Sequence, residues 1–149
     1  MCRNTWAAAR RLCSVNWGVT ADETSIRVAV CGAHMRDLPL HHQLTDRGGH
    51  YLGEARTAPA YRFVALPGEP AKPGLIRVPA EGASIALELW SVSAEAFGEL
   101  VALIPPPRAM GSLELDNGTV VKGFVCEGCA GDGAIDISQH GSWRRDLES

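Results

Sequence analysis

The chain contains no run of the roughly 20 apolar residues that a bilayer-spanning helix needs, so no helical membrane anchor is expected in it. It also lacks an excess of positive charge, with 14 Lys and Arg against 17 Asp and Glu and a formal net charge of -3. Binding to nucleic-acid phosphates requires a basic stripe, and scattered cations exclude that partner as an expectation. Residues 1–19 include Arg3, Arg10 and Arg11 but no continuous apolar core of a secretory signal, so the expected compartment is cytoplasmic. The five cysteines, an odd number, form no disulfide framework. Cys126 and Cys129 make a single CxxC, and neither a second CxxC nor an HxxxH supplies the other two ligands zinc usually takes. Neither a metal nor an organic cofactor is expected. There is no Gly-x-Ser-x-Gly elbow, which removes the usual serine-hydrolase arrangement, and no internal repeat.

What remains is an ordinary globular composition: 149 residues, 46% hydrophobic and 21% charged, enough for one core. Residues 1–22 read as an N-terminal extension. A short helix is expected over residues 6–13, and Trp6, Leu12, Val15 and Trp17 suggest packing against the body, a second copy or another protein. Residues 23–149 read as the domain proper. Strands are expected at residues 26–31, 51–57, 61–66, 75–78, 84–92, 113–115 and 120–125, with Asn117-Gly118 as a two-residue hairpin turn. Residues 67–74 are too rich in Pro and Gly for anything but a loop. Helices are expected over residues 39–46, over the segment capped by Ser93 in which Phe97, Leu100, Val101 and Ile104 recur at helical spacing, and briefly at residues 136–139 or 143–147. Many strands around few helices, without regular alternation, predict an α+β fold with a small mixed, curved or barrel-like sheet.

Chemistry is concentrated where the first strand meets a Gly-small-His turn. The amides of Gly32, Ala33 and His34 are placed to converge on a small anion, with Gly32 expected to take backbone angles that a side chain would forbid. His34 adds the one nearby group able to exchange a proton near neutral pH. His41, His42, His50 and His140 are explained by helix-face or turn solvation. Glu88 shares its strand face with Trp90. A carboxylate buried beside an indole could act as an acid, but the alternation reads more simply as a half-exposed face.

Four segments, VCGAHMRDLPLHHQL at 30–44, TAPAYRFVAL at 57–66, KPGLIRV at 72–78 and VKGFVCE at 121–127, resemble the C-terminal domain of allophanate hydrolase, over about residues 26–143. That domain is in turn similar to the gamma-glutamylcyclotransferases, whose Tyr-Gly-Ser-Leu loop holds a substrate carboxylate; here the equivalent stretch is Cys31-Gly32-Ala33-His34. The resemblance implies the small closed-sheet fold of that superfamily, with the Gly32 loop at the mouth of a cavity. It also implies His34 as acid/base, and it directs attention to Arg62, Lys72 and Lys122 as cations facing a pocket and to Tyr61 as a hydroxyl donor. The cyclotransferases carry a general acid/base glutamate where this chain has Leu103-Ile104-Pro105, so gamma-glutamyl cyclisation is not expected.

The resemblance implies binding of a small dicarboxylate and decarboxylation of an N-carboxycarbamate in urea-nitrogen catabolism, as the companion step to an amidase carried elsewhere. Two alternatives stand beside this. One is a non-catalytic assembly or ligand-binding subunit of a separate amidase, or a homodimer, built through the N-terminal extension. The other is cyclotransferase-like acyl transfer to another amine.

Overall fold

The computed structural model describes residues 25–149. The expectations for residues 1–22 therefore lie outside the described residues. The first strand, β1 (Ser25–Val30), is the middle of a five-stranded mixed sheet. It pairs antiparallel with β5 (Ala86–Ser93) on one side and parallel with β7 (Val120–Cys126) on the other. Beyond these lie β2 (His50–Arg56) on β5 and β6 (Arg108–Glu114) on β7, giving the order β2-β5-β1-β7-β6. A second sheet sets β3 (Tyr61–Leu66) between β4 (Lys72–Arg77) and the two-residue β8 (Ile135–Asp136). Helices α1 (His42–Thr45), α2 (Ala94–Ala102) and α3 (Trp143–Leu147) flank the sheets.

The α+β class and the mixed, curved sheet agree with the sequence expectation. The closed barrel does not: the strands divide into two sheets. The main core lies among Val28, Val30, Leu44, Phe63, Leu75, Ile85, Val92, Leu100, Leu113 and Val121, all essentially inaccessible to solvent. Each such side chain contributes about 1.5–3 kcal/mol by leaving water. Buried Thr57 marks a corner between the sheets: its amide donates to Ile85 O, its hydroxyl accepts from Ile85 N, and Ala58 N donates to Glu114 O.

Several elements differ from expectation in instructive ways. Lys72, Pro73 and Gly74 belong to β4 rather than to a loop, pairing with Leu66, Ala65 and Val64. Proline is tolerated there because β4 is an edge strand with no partner on its other side within this sheet. The turn after β6 has three residues, Asp116, Asn117 and Gly118, closed by Leu115 N to Thr119 O at 2.8 Å and Gly118 N to Leu115 O at 2.9 Å. Gly118 takes the left-handed conformation, φ 81°, that completes this longer turn. On α2, Ser93 accepts from Ala96 N as expected, but the buried positions are Ala96 and Leu100, and Val101 is exposed. The expected helix over 39–46 shrinks to α1, preceded by successive tight turns through residues 34–41.

Candidate functional site

Because β1 and β7 run parallel, their carboxyl ends emerge side by side, delivering Cys31 to His34 from one and Phe124 to Cys126 from the other. Antiparallel β6 begins at the same end, with Arg108 opposite Cys126, and β4 begins nearby with Lys72. Gly32 is needed for space rather than for its dihedral angles, since a methyl group there would collide with the Pro73 ring. It is not among the positive-φ residues, and the left-handed conformation falls instead on Asp37, φ 63°. The loop is held by Met35 N to Gly32 O at 2.9 Å and Leu40 N to Ala33 O at 2.8 Å. Among the described residues, the amides of Ala33 and His34 donate to no protein acceptor.

His34 is 8% exposed and fixed on two sides. Its ring stacks on Phe124, with centroids 4.7 Å apart and planes at 18°. Its Nε2 lies 2.9 Å from Gln43 Oε1, which can only accept, so Nε2 carries the hydrogen and Nδ1 keeps its lone pair. Burial holds the His34 pKa below its ordinary 6.5; the Gln43 bond opposes this, while the charges of Arg108, His42 and Lys72 add to it. The resting imidazole is therefore neutral at pH 7.

Two adjoining cavities share His34, Lys72, Arg108 and Phe124 in their walls. The more open one, about 190 Å³, is completed by Leu40, Gln43, Leu100, Leu103, Ile104 and Pro105. It thus has two cationic side chains, one imidazole, an apolar wall and no carboxylate, which suits a small anion. Leu103-Ile104-Pro105 borders the same space as His34. The smaller cavity is lined by Cys31 and Cys126, both buried. Burial, reinforced by the neighbouring Cys126, pushes the Cys31 thiol up to about 12, so it is not a thiolate nucleophile near neutral pH. Among the described residues, no group of three or more His, Cys, Asp or Glu is arranged to hold a metal ion.

Of the residues singled out from the sequence, His34, Gly32, Ala33 and Lys72 come together. Tyr61, Arg62 and Lys122 line neither cavity. Tyr61 is buried with its hydroxyl accepting from Glu114 N at 2.9 Å. Arg62 donates to Gly131 O at 2.9 Å and faces Asp136, and Lys122 donates to Ser112 Oγ at 3.1 Å. Arg108 and Gln43 were missed. Gln43 lies within the segment that carries the family resemblance. Arg108 follows Pro105-Pro106-Pro107, which reads as a break and hides the start of a strand. Glu88 is no half-exposed surface residue: at 3% exposure it is buried in an ion network.

The depressed His34 pKa has a consequence for stability. The unfolded chain binds a proton at His34 near pH 6.5, whereas the folded protein resists until a lower pH. The contribution of His34 to stability is therefore lost as pH falls from 6.5 toward the folded pKa, and changes no further below it. Urea melts at pH 7.5 and 5.5 should show this drop in the wild type and a smaller one in His34→Gln. Equal drops would mean that His34 titrates as it does in the unfolded chain.

Among the described residues, no helix is long and apolar enough to cross a membrane. The sequence profile of the allophanate hydrolase C-terminal domain family matches residues 26–148. Urea amidolyases of Lachancea kluyveri and Saccharomyces cerevisiae are 42% and 43% identical over 131 and 130 residues, covering 85% and 84% of this chain. The chain spans 7% of the length of these curated relatives. The allophanate hydrolase of Kluyveromyces lactis superposes with a TM-score of 0.79 at 40% identity, over 83% of this chain and 21% of that one. A uropathogenic E. coli-specific protein superposes equally well, with a TM-score of 0.79 at 31% identity, over 85% of this chain and 98% of that one. An AIG2-like protein of Mus musculus, 22% identical with a TM-score of 0.57 over 71% of this chain and 78% of that one, shares the fold.

Proposed function

Since this chain belongs to the allophanate hydrolase C-terminal domain family, we propose that it binds the dianion N-carboxycarbamate beside His34 and assists its decarboxylation, after an amidase has released that intermediate from allophanate. The observation that carries the reading is a cavity with two cations and a neutral imidazole, and no carboxylate in its walls. One carboxylate of the substrate is retained, held by Lys72, Arg108 and the amides of Ala33 and His34. The other lies against Leu100, Leu103 and Ile104, where it leaves as neutral carbon dioxide. That division follows from charge: cations on the departing carboxylate would stabilise the ground state, whereas an apolar wall favours the uncharged product.

Binding of the dianion draws the proton in from solvent. Its charge favours imidazolium at His34, so Nδ1 takes up a proton on binding. When the carbon-nitrogen bond breaks, the electron pair stays on nitrogen and His34 returns that proton, giving carbamate and carbon dioxide. The absence of a carboxylate at Leu103-Ile104-Pro105 stands against the cyclotransferase alternative.

Malonate, a stable dicarboxylate, tests the binding half. Calorimetry should show saturable binding that weakens as pH rises above neutrality, with proton uptake revealed by a dependence of the heat on the buffer. Arg108→Ala should weaken it by about 10-fold or more, the loss expected for one charge-assisted contact. Absence of binding at millimolar malonate would remove the proposal.

A further inference from the structure

Resting on that reading, we infer that Glu88 and Arg144 are positioning residues for His34, acting together as a clamp on the backbone at Arg36. Glu88 lies on β5 directly opposite Val30, the last residue of β1, where the His34 loop departs. Its Oε2 accepts from Arg36 N at 2.9 Å. Arg144, on α3, donates from Nη2 to Arg36 O at 2.7 Å and to Glu88 Oε1 at 3.0 Å. Residue 36 is therefore held at its N–H and at its C=O by two side chains that also bind each other. The next residue is Asp37, in the left-handed conformation that a side chain disfavours. The clamp falls where the chain needs it most, two residues beyond His34 and immediately before the strained turn leading to Gln43.

The rest of the network closes the electrostatic account. A carboxylate buried as deeply as Glu88 persists only when its charge and lone pairs are met. Arg36 Nε at 3.4 Å and Trp90 Nε1 at 3.3 Å supply the remaining donors. The Arg36 guanidinium in turn lies over the Tyr51 ring, 3.9 Å from its centroid. None of these groups lines the cavities around His34. They reach the chemistry through the loop, because His34 must keep its stack on Phe124 and its bond to Gln43 to present Nδ1.

The test compares Glu88→Gln, Arg144→Ala and Arg144→Lys in the full chain, reading the His34 imidazole by NMR titration and tautomer-sensitive nitrogen shifts, with malonate as ligand. In Glu88→Gln and Arg144→Ala, the His34 pKa should move toward its ordinary value and the Nε2–H tautomer should lose population. Turnover should fall about 10- to 100-fold in kcat with little change in KM, the signature of a misplaced acid/base group. Arg144→Lys, which keeps one charged donor, should recover part of the loss. Unchanged imidazole signals and kcat in folded variants would overturn the clamp. If Glu88→Gln does not fold, Arg144→Ala decides, since that side chain is 41% exposed and its truncation leaves no large cavity. If the wild type shows no turnover, the proposed reaction fails, and the imidazole spectra still judge the clamp.

Discussion

His34→Ala is expected to lower carbon dioxide release, measured with an allophanate-cleaving amidase present, by about 10²–10⁴-fold, the range for a positioned acid-base group. The size follows from what remains. Lys72 and Arg108 still line the cavity, so malonate should still bind, with its buffer-dependent proton uptake gone. Breaking the carbon-nitrogen bond leaves an electron pair on nitrogen, and without imidazolium the proton must come from water. His34→Gln should behave in the same way, because its amide cannot exchange a proton. Turnover within about tenfold of wild type in both variants would assign the acid/base role elsewhere or remove it. The fold should survive, since His34 lies in the loop after β1 and the strands on either side are held by their own ladders.

Trp143→Ala is expected to cost about 3–5 kcal/mol of unfolding free energy, the usual loss for truncating a large buried aromatic ring. Trp143 is 4% exposed and belongs to the main core cluster, although it sits on a helix of five residues. A helix that short has no stability of its own, so the indole is what docks it. Denaturant melts should show a loss of unfolding free energy of that size, against a total of about 5–15 kcal/mol for a domain of this kind. A loss below about 1 kcal/mol would mean that α3 is a peripheral ornament and that Arg144 is held in place by other contacts. Because Arg144 follows Trp143 directly, the same variant should also disturb the His34 imidazole.

Local pattern carried much of the fold. β3 spans the expected residues 61–66 because Pro59 before it and Pro67 after it confine the run. Ser93 caps α2 because its hydroxyl faces a free amide three residues on. Readings failed where a tertiary partner decides the outcome. Whether the Glu88 face of β5 is open or covered depends on the His34 loop and on α3, some 50 residues away in either direction, and strand alternation holds no information about either. Lys72-Pro73-Gly74 has loop composition, yet β3 offers it a ladder and an edge position forgives the proline. Arg108 was hidden for a related reason, since three prolines mark the end of α2 without showing that a strand begins at once. The Gly32-Ala33-His34 turn was legible as a place, whereas its Gln43 and Phe124 partners required the fold.

The central position of β1 also sets a timetable for biosynthesis. Its neighbours in the sheet are β5, near residue 90, and β7, near residue 122, so the first described strand is enclosed only by segments made much later. Roughly 90 residues separate Val30 from Gly123, and at ~5–20 residues per second the nascent strand waits about 5–20 s for its second neighbour. During that interval an apolar, β-branched segment is open to pairing with other chains, a hazard that grows with the rate of synthesis and the crowding of ribosomes on one message. The strand that leads into His34 is thus made before both of its sheet neighbours and is enclosed only when the second of them has followed.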